Sequence, residues 1–279
     1  MGSLERCGIM SEKRQSGRER RKEFAKNTQE EIRKNPTSFK VYTVMRILVI
    51  LILIRQFFLH NYQGMALCIL TLVLLVLPAA LQVRLRVNIP QPLEIILYCF
   101  IFAAEILGEL SSFYTAFPWW DTMLHTTNGF LAAAVGFSLV LLLNNDDKLM
   151  FSCSPFFVAL VAFCFSMTIG VVWEFFECFC DLMWGLDMQK DTIVHTISSV
   201  TINPDGLQEP VAINNIHQTI VDGQMLPIDG YLDIGILDTM EDLFVNFIGA
   251  LTFSTIGFFA LRNSEKKSGV VEGLMIRKK

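Results

Sequence analysis

Six apolar runs of about 18 residues or more divide this chain, and runs of that length can cross a bilayer core of roughly 30 Å. They cover 41–59, 64–82, 93–113, 122–143, 155–182 and 239–261. Their number and length imply an all-α membrane protein with six transmembrane helices. Composition agrees: 52% of the 279 residues are hydrophobic and 18% are charged, against about 25% charged in a typical soluble domain.

Charge placement sets the expected orientation. Short cytoplasmic loops carry an excess of Lys and Arg. The segment before residue 41 holds eleven Lys/Arg and six Glu. The turns at 60–63 and 114–120 hold no Lys or Arg, whereas 83–92 carries Arg84 and Arg86, and 144–154 carries Lys148. The long segment 183–237 has only Lys190 against seven acids, and the tail after 261 is basic. Both termini are therefore expected in the cytoplasm. The organisation expected is a basic cytoplasmic tail at 1–40, a transmembrane domain at 41–261 and a cytoplasmic tail at 262–279.

The first 40 residues lack the short apolar core and small-residue cleavage site of a signal peptide. Acids interleave the bases there, so nucleic-acid binding is not expected. The seven cysteines lie mostly in apolar runs, form no C-x-x-C pair, and read as packing residues.

The stretch 186–236 is too long for a simple turn. Its β-branched run T-I-V-H-T-I-S-S-V-T-I at 192–202 is followed by N-P-D-G at 203–206 and a second run at 211–221 ending at Asp222-Gly223. This pattern predicts an extracytoplasmic insert containing a β-hairpin. Loops this long in compact proteins are commonly functional, and the insert could cover the outer mouth of the bundle.

Polar residues recur inside the last four apolar runs at helical spacing. The third ends with Glu105 and Glu109. The fourth opens W-W-D-T-M-L-H-T-T-N-G, placing Asp121, His125 and Gly129 one turn apart. The fifth contains W-E-F-F-E-C-F-C-D, so Glu174, Glu177 and Asp181 share a face. The sixth opens D-T-M-E-D-L-F-V-N, with Asp238, Asp242 and Asn246 four apart. In the expected orientation all four sets lie toward the outer leaflet. Ionisable residues in membrane helices usually face a bundle interior or a water-filled cavity. So many carboxylates in low dielectric need protons or cations.

Three readings follow: a divalent metal, a proton-sharing network, or interhelical hydrogen bonds and caps. Asp121 and Asp238 also suit N-cap positions. With a metal, Asp121, His125, Glu177 and Asp238 are the expected ligands. Glu174 and Asp242 are the expected catalytic carboxylates, and Glu105, Glu109, Asp181 and Asn246 are further lining. Carboxylates with an imidazole suit zinc, manganese or iron; oxygen-only ligation suits magnesium.

The spaced motifs D-x-x-x-H-x-x-x-G, E-x-x-E and D-x-x-x-D-x-x-x-N-x-x-G-A resemble the YjdF-like bacterial integral membrane proteins and, more distantly, the VanZ-like membrane proteins. The resemblance covers about 93–261 and implies a multi-pass protein of a bacterial plasma membrane. It supplies no settled biochemical activity. VanZ-like proteins are associated with glycopeptide-antibiotic tolerance, which bears on this chain only as fold-level analogy.

Three functions compete. A metal-dependent hydrolase would act on a lipid or envelope precursor reaching the site from outside. An ion- or proton-coupled transporter would need polar residues along the whole crossing, and 131–143, 155–165 and 247–261 are nearly all apolar. A non-catalytic scaffold or sensor would use the insert to bind a partner.

Overall fold

The computed structural model describes residues 2–144, 153–263 and 269–278. In chain order, α1 (Gly2–Lys34) leads into α2 (Pro36–Phe58), α3 (Tyr62–Leu74) and α4 (Leu77–Leu85). After β1 (Val87–Asn88) come α5 (Gln91–Phe102), a π-helical segment at Ala103–Leu110, the single turn α6 (Phe113–Ala116) and α7 (Trp120–Asn144). Helix α8 (Pro155–Trp184) precedes six short strands, and α9 (Ile236–Arg262), α10 (Gly269–Leu274) and β8 (Arg277–Lys278) complete the fold.

Helix boundaries follow local chemistry. Asn61 caps α3 by accepting the Gly64 N–H at 3.0 Å. Pro155 occupies the first turn of α8, and Ser154 caps it through the Phe157 N–H at 3.3 Å. Gly185, at φ 61°, ends α8 in the left-handed region. Pro78 lacks the N–H that would bond the Leu74 carbonyl, and the break between α3 and α4 lies just before it.

Among the described residues, five helical stretches are long and apolar enough to cross a bilayer: Pro36–Phe58, Tyr62–Leu85, Trp120–Leu143, Pro155–Trp184 and Ile236–Arg262. The expected run at 93–113 is not one of them. It is helical from Gln91, but the ladder widens at Ala103 into π geometry, and the Ser111 N–H reaches back five residues to Ile106.

Two apolar clusters organise the bundle. One joins α5, α7, α8, α9 and α10 around Leu93, Phe137, Val158 and Phe253, with Val271 and Leu274 folded back onto it. The other joins α1 through α5 around Tyr42, Val49, Leu75 and Tyr98. Within the first, α7 and α9 approach at backbone contact. A Cβ on Gly129 would sit 2.2 Å from the Asn246 carbonyl oxygen, and one on Gly249 would sit 2.1 Å from that of Thr126. Only glycine allows this approach. The buried Ser166 hydroxyl on α8 closes the junction by donating to the Gly129 carbonyl at 2.7 Å.

The insert carries the expected hairpin, in shorter pieces. Strand β2 (Ile193–Val194) pairs with β7 (Tyr231–Leu232), and β3 (Thr196–Ser199) pairs with β4 (Val211–Asn214) in the register Thr196↔Asn214. The second β-branched run is not one strand. Its end, β5 (Ile220–Val221), folds onto β6 (Gln224–Met225) about Asp222 and Gly223, both at positive φ. That pair suits a tight hairpin turn.

Candidate functional site

Three helices converge on one imidazole. His125 stands in the second turn of α7 and is buried. Its Nε2 lies 3.5 Å from Asp121 Oδ1 on the same helix and 3.6 Å from Asp242 Oδ2 on α9. Its Nδ1 lies 3.8 Å from Glu174 Oε1 on α8. Glu174, Glu177 and Asp242 are buried, and Asp121 is half-buried. The i, i+4 spacing on α7 and the i, i+3 spacing on α8 place each pair on one helix face.

Each contact to the ring is longer than a hydrogen bond. Glu174 Oε2 and Asp242 Oδ2 are buried and make no hydrogen bond among the described residues. Buried polar atoms are ordinarily paired, and no described residue pairs with these two oxygens. The donor atoms fall into two overlapping groups able to hold a cation. Asp121, His125 and Asp242 form one, and Glu174, Glu177 and Asp242 form the other, with the ligand atoms of each within 4.8 Å of one another. Donors around a tetrahedral ion with bonds of 2.0–2.2 Å lie about 3.3–3.6 Å apart. The two Nε2 contacts have that spacing. Trp173 steadies the second group by donating Nε1–H to Glu177 Oε1 at 2.8 Å.

The remaining expected residues have other surroundings. Asp181 accepts the backbone N–H groups of Met188 and Gln189 at 2.7 and 2.8 Å, turning the chain into the insert. Asp238 accepts the Lys190 N–H at 2.8 Å and belongs to neither cation group. Asn246 lies deeper, between helices: it accepts from Asn128 at 3.3 Å and donates to the Ser166 carbonyl at 3.5 Å. Glu105 is half-buried and Glu109 exposed on the π-helical segment, and both lie outside the cation groups.

Three residues the motifs did not reveal lie near the site or in its link to the insert. The Tyr114 ring folds over Gly108. Burial, and then the charges of Asp121, Glu109, Glu105 and Glu177, push its phenol up. Glu241 accepts from Thr122 at 3.3 Å across the α7–α9 junction. Asp233 gathers the N–H groups of Thr192, Gly235 and Leu237, at 2.7, 3.3 and 2.7 Å, and so ties the insert to the start of α9. Burial would raise its carboxyl, but those donors outweigh it and hold the group below its usual range. Tyr114 follows an apolar run and Asp233 precedes one, so helical periodicity does not reach either.

Five bilayer-length helices, three of which converge on a buried His–carboxylate cluster, define a multi-pass membrane protein with a polar site in its helical core. Residues 41–263 match the family described as predicted membrane protein (DUF2238), and the chain belongs to that family, which is the YjdF-like one. No curated protein and no solved structure matches the chain.

Proposed function

We propose that this protein is a metal-dependent hydrolase whose site opens to the outer side of the membrane and takes a lipid or envelope-precursor substrate. One observation carries the reading: an imidazole set among carboxylates of three helices, its two Nε2 contacts at ligand spacing, with two buried carboxylate oxygens unpaired among the described residues. In this reading Asp121, His125 and Asp242 hold the ion, and zinc, manganese or iron fits that donor set. When bound, the ion supplies Lewis acidity that turns water into a nucleophile near neutral pH. Glu174 then has the role of general base, and Glu177, held by Trp173, supports it. The proposed topology has six crossings, counting 91–110, with both termini inside.

Burial on the opposite side of the cluster supports a site reached from one face. Leu131, Ala133, Ala134, Phe137, Val158, Ala162, Ala250 and Phe253 fill the core beyond it, with Val271 and Leu274 behind them. A continuous polar path of the kind a carrier needs is not supported by that filling.

Elemental analysis of protein purified in mild detergent, wild type beside His125→Ala, tests the proposal. The expected result is about one transition-metal ion more per chain in the wild type. Equal metal contents in the two proteins would leave a proton-sharing network as the better account.

A further inference from the structure

A further group of side chains of metal-ligating type lies in the insert, away from the helices. His195, His217 and Asp229 are all exposed, and each offers a ligand atom within 4.8 Å of the other two. They come from three separate segments: the residue between β2 and β3, the loop after β4, and the loop before β7. Nothing in the apolar periodicity of the chain points to them, and their side chains play no part in the membrane cluster.

The insert's framework brings them together. The Ile216 N–H donates to the His195 carbonyl at 3.0 Å, which sets His217 beside His195. The Thr219 hydroxyl donates to the Gly230 carbonyl at 2.7 Å, which brings Asp229 to the same place. A Cβ on Gly230 would lie 2.5 Å from the Ile193 side chain and 3.6 Å from the His195 ring, at a φ of 142°. Glycine there lets the Asp229 segment close on the two histidines.

The ring atoms are oriented as well as gathered. His195 Nδ1 lies 2.9 Å from the Ile216 carbonyl. A carbonyl only accepts, so that nitrogen carries the hydrogen and Nε2 carries the lone pair. A backbone carbonyl on the non-ligating nitrogen is the usual support of a metal-binding histidine. His217 Nδ1 lies 2.8 Å from Asp229 Oδ1, and the two imidazole rings are 5.6 Å apart between centroids.

We infer that His195, His217 and Asp229 form a second metal site, on the extracytoplasmic insert, that takes one borderline divalent transition ion of the zinc class. Two imidazoles and one carboxylate suit zinc, nickel or copper, whereas calcium and magnesium prefer all-oxygen shells. Three protein ligands leave at least one coordination position to water or to an external donor. Because the ligands belong to three segments, the ion also staples the insert.

The inference stands independently of the membrane cluster, and its test removes that cluster first. Full-length Asp242→Ala protein, which lacks the residue common to both membrane cation groups, is titrated in detergent with Zn²⁺, with excess Mg²⁺ present, and binding is followed by calorimetry. One Zn²⁺ per chain is expected, and adding His195→Ala or His217→Ala should weaken it by about tenfold or more. Binding unchanged by both histidine substitutions overturns the site, as does displacement of Zn²⁺ by Mg²⁺. A second measurement needs no substitution. Zn²⁺ should protect His195 and His217 of the wild-type protein from carbethoxylation, read by peptide mass spectrometry. Equal modification with and without Zn²⁺ also overturns it.

Discussion

At the scale of single residues, His125 differs from an ordinary buried histidine in what it does not do. A buried imidazole normally hydrogen-bonds through at least one nitrogen. Here its three carboxylate neighbours stand at 3.5 to 3.8 Å, and two of their oxygens are unpaired among the described residues. Trp173 has a supporting place beside them, since its indole N–H orients Glu177. Trp173→Phe keeps the ring's bulk and deletes the donor. Because Glu177 supports the base and does not hold the ion in the proposed reading, metal affinity should fall by less than the roughly 10-fold loss expected for the partner of a ligand, while the detergent melting temperature stays within a few degrees. Competition with a chelator of known affinity measures the first, and differential scanning fluorimetry the second.

At the scale of elements, the site depends on how closely α7 and α9 approach. Gly249 meets the backbone of Thr126, and backbone cannot rotate away as a side chain can. Gly249→Ala should destabilise the bundle by about 1–3 kcal/mol through overpacking. The expected readout is a lower melting temperature in detergent, accompanied by metal loss as Asp242 shifts relative to His125. The insert is held to the same helix by different chemistry. Asp233 binds three backbone N–H groups as an anion, and its carboxyl is held below the usual range. Its contribution is therefore complete above the unfolded carboxyl value of about 3.9 and is lost as pH falls through the lower folded value. Hydrogen exchange at 190–193 and 231–237 should accelerate on acidification across that window. Asp233→Asn should show the faster exchange already at neutral pH.

At the scale of the whole molecule, the polar site and the insert occupy the same end of the bundle. Lys190, Gln189 and Met188 at the insert's start bond Asp238 and Asp181, which lie on α9 and α8. The opposite end is closed by α10 and by the pairing of β8 with β1. The proposed orientation puts the insert outside. An impermeant maleimide should label Asp205→Cys in intact cells and Lys22→Cys only after permeabilisation. The reverse pattern would invert the topology and with it the side from which substrate arrives.

Periodicity and hydropathy are local properties, and the sequence by itself determined what depends on them. The apolar runs marked the five bilayer-length helices, and β-branched residues around N-P-D-G marked the hairpin. Spacings of three and four placed Asp121 with His125 and Glu174 with Glu177. The run at 93–113 was legible as apolar helix, but its π-helical end was not, because hydropathy does not report which carbonyl each N–H of the ladder reaches. Tertiary structure alone separated carboxylates of similar spacing. Asp242 turns to the imidazole, whereas Asp238, one helical turn earlier, is taken by a backbone N–H of the insert. The same holds for His195, His217 and Asp229, which are brought together only by strand pairing and the close approach at Gly230. Helix-face neighbours follow from the repeat of one helix. Contacts among three chain segments follow from packing that no single segment encodes.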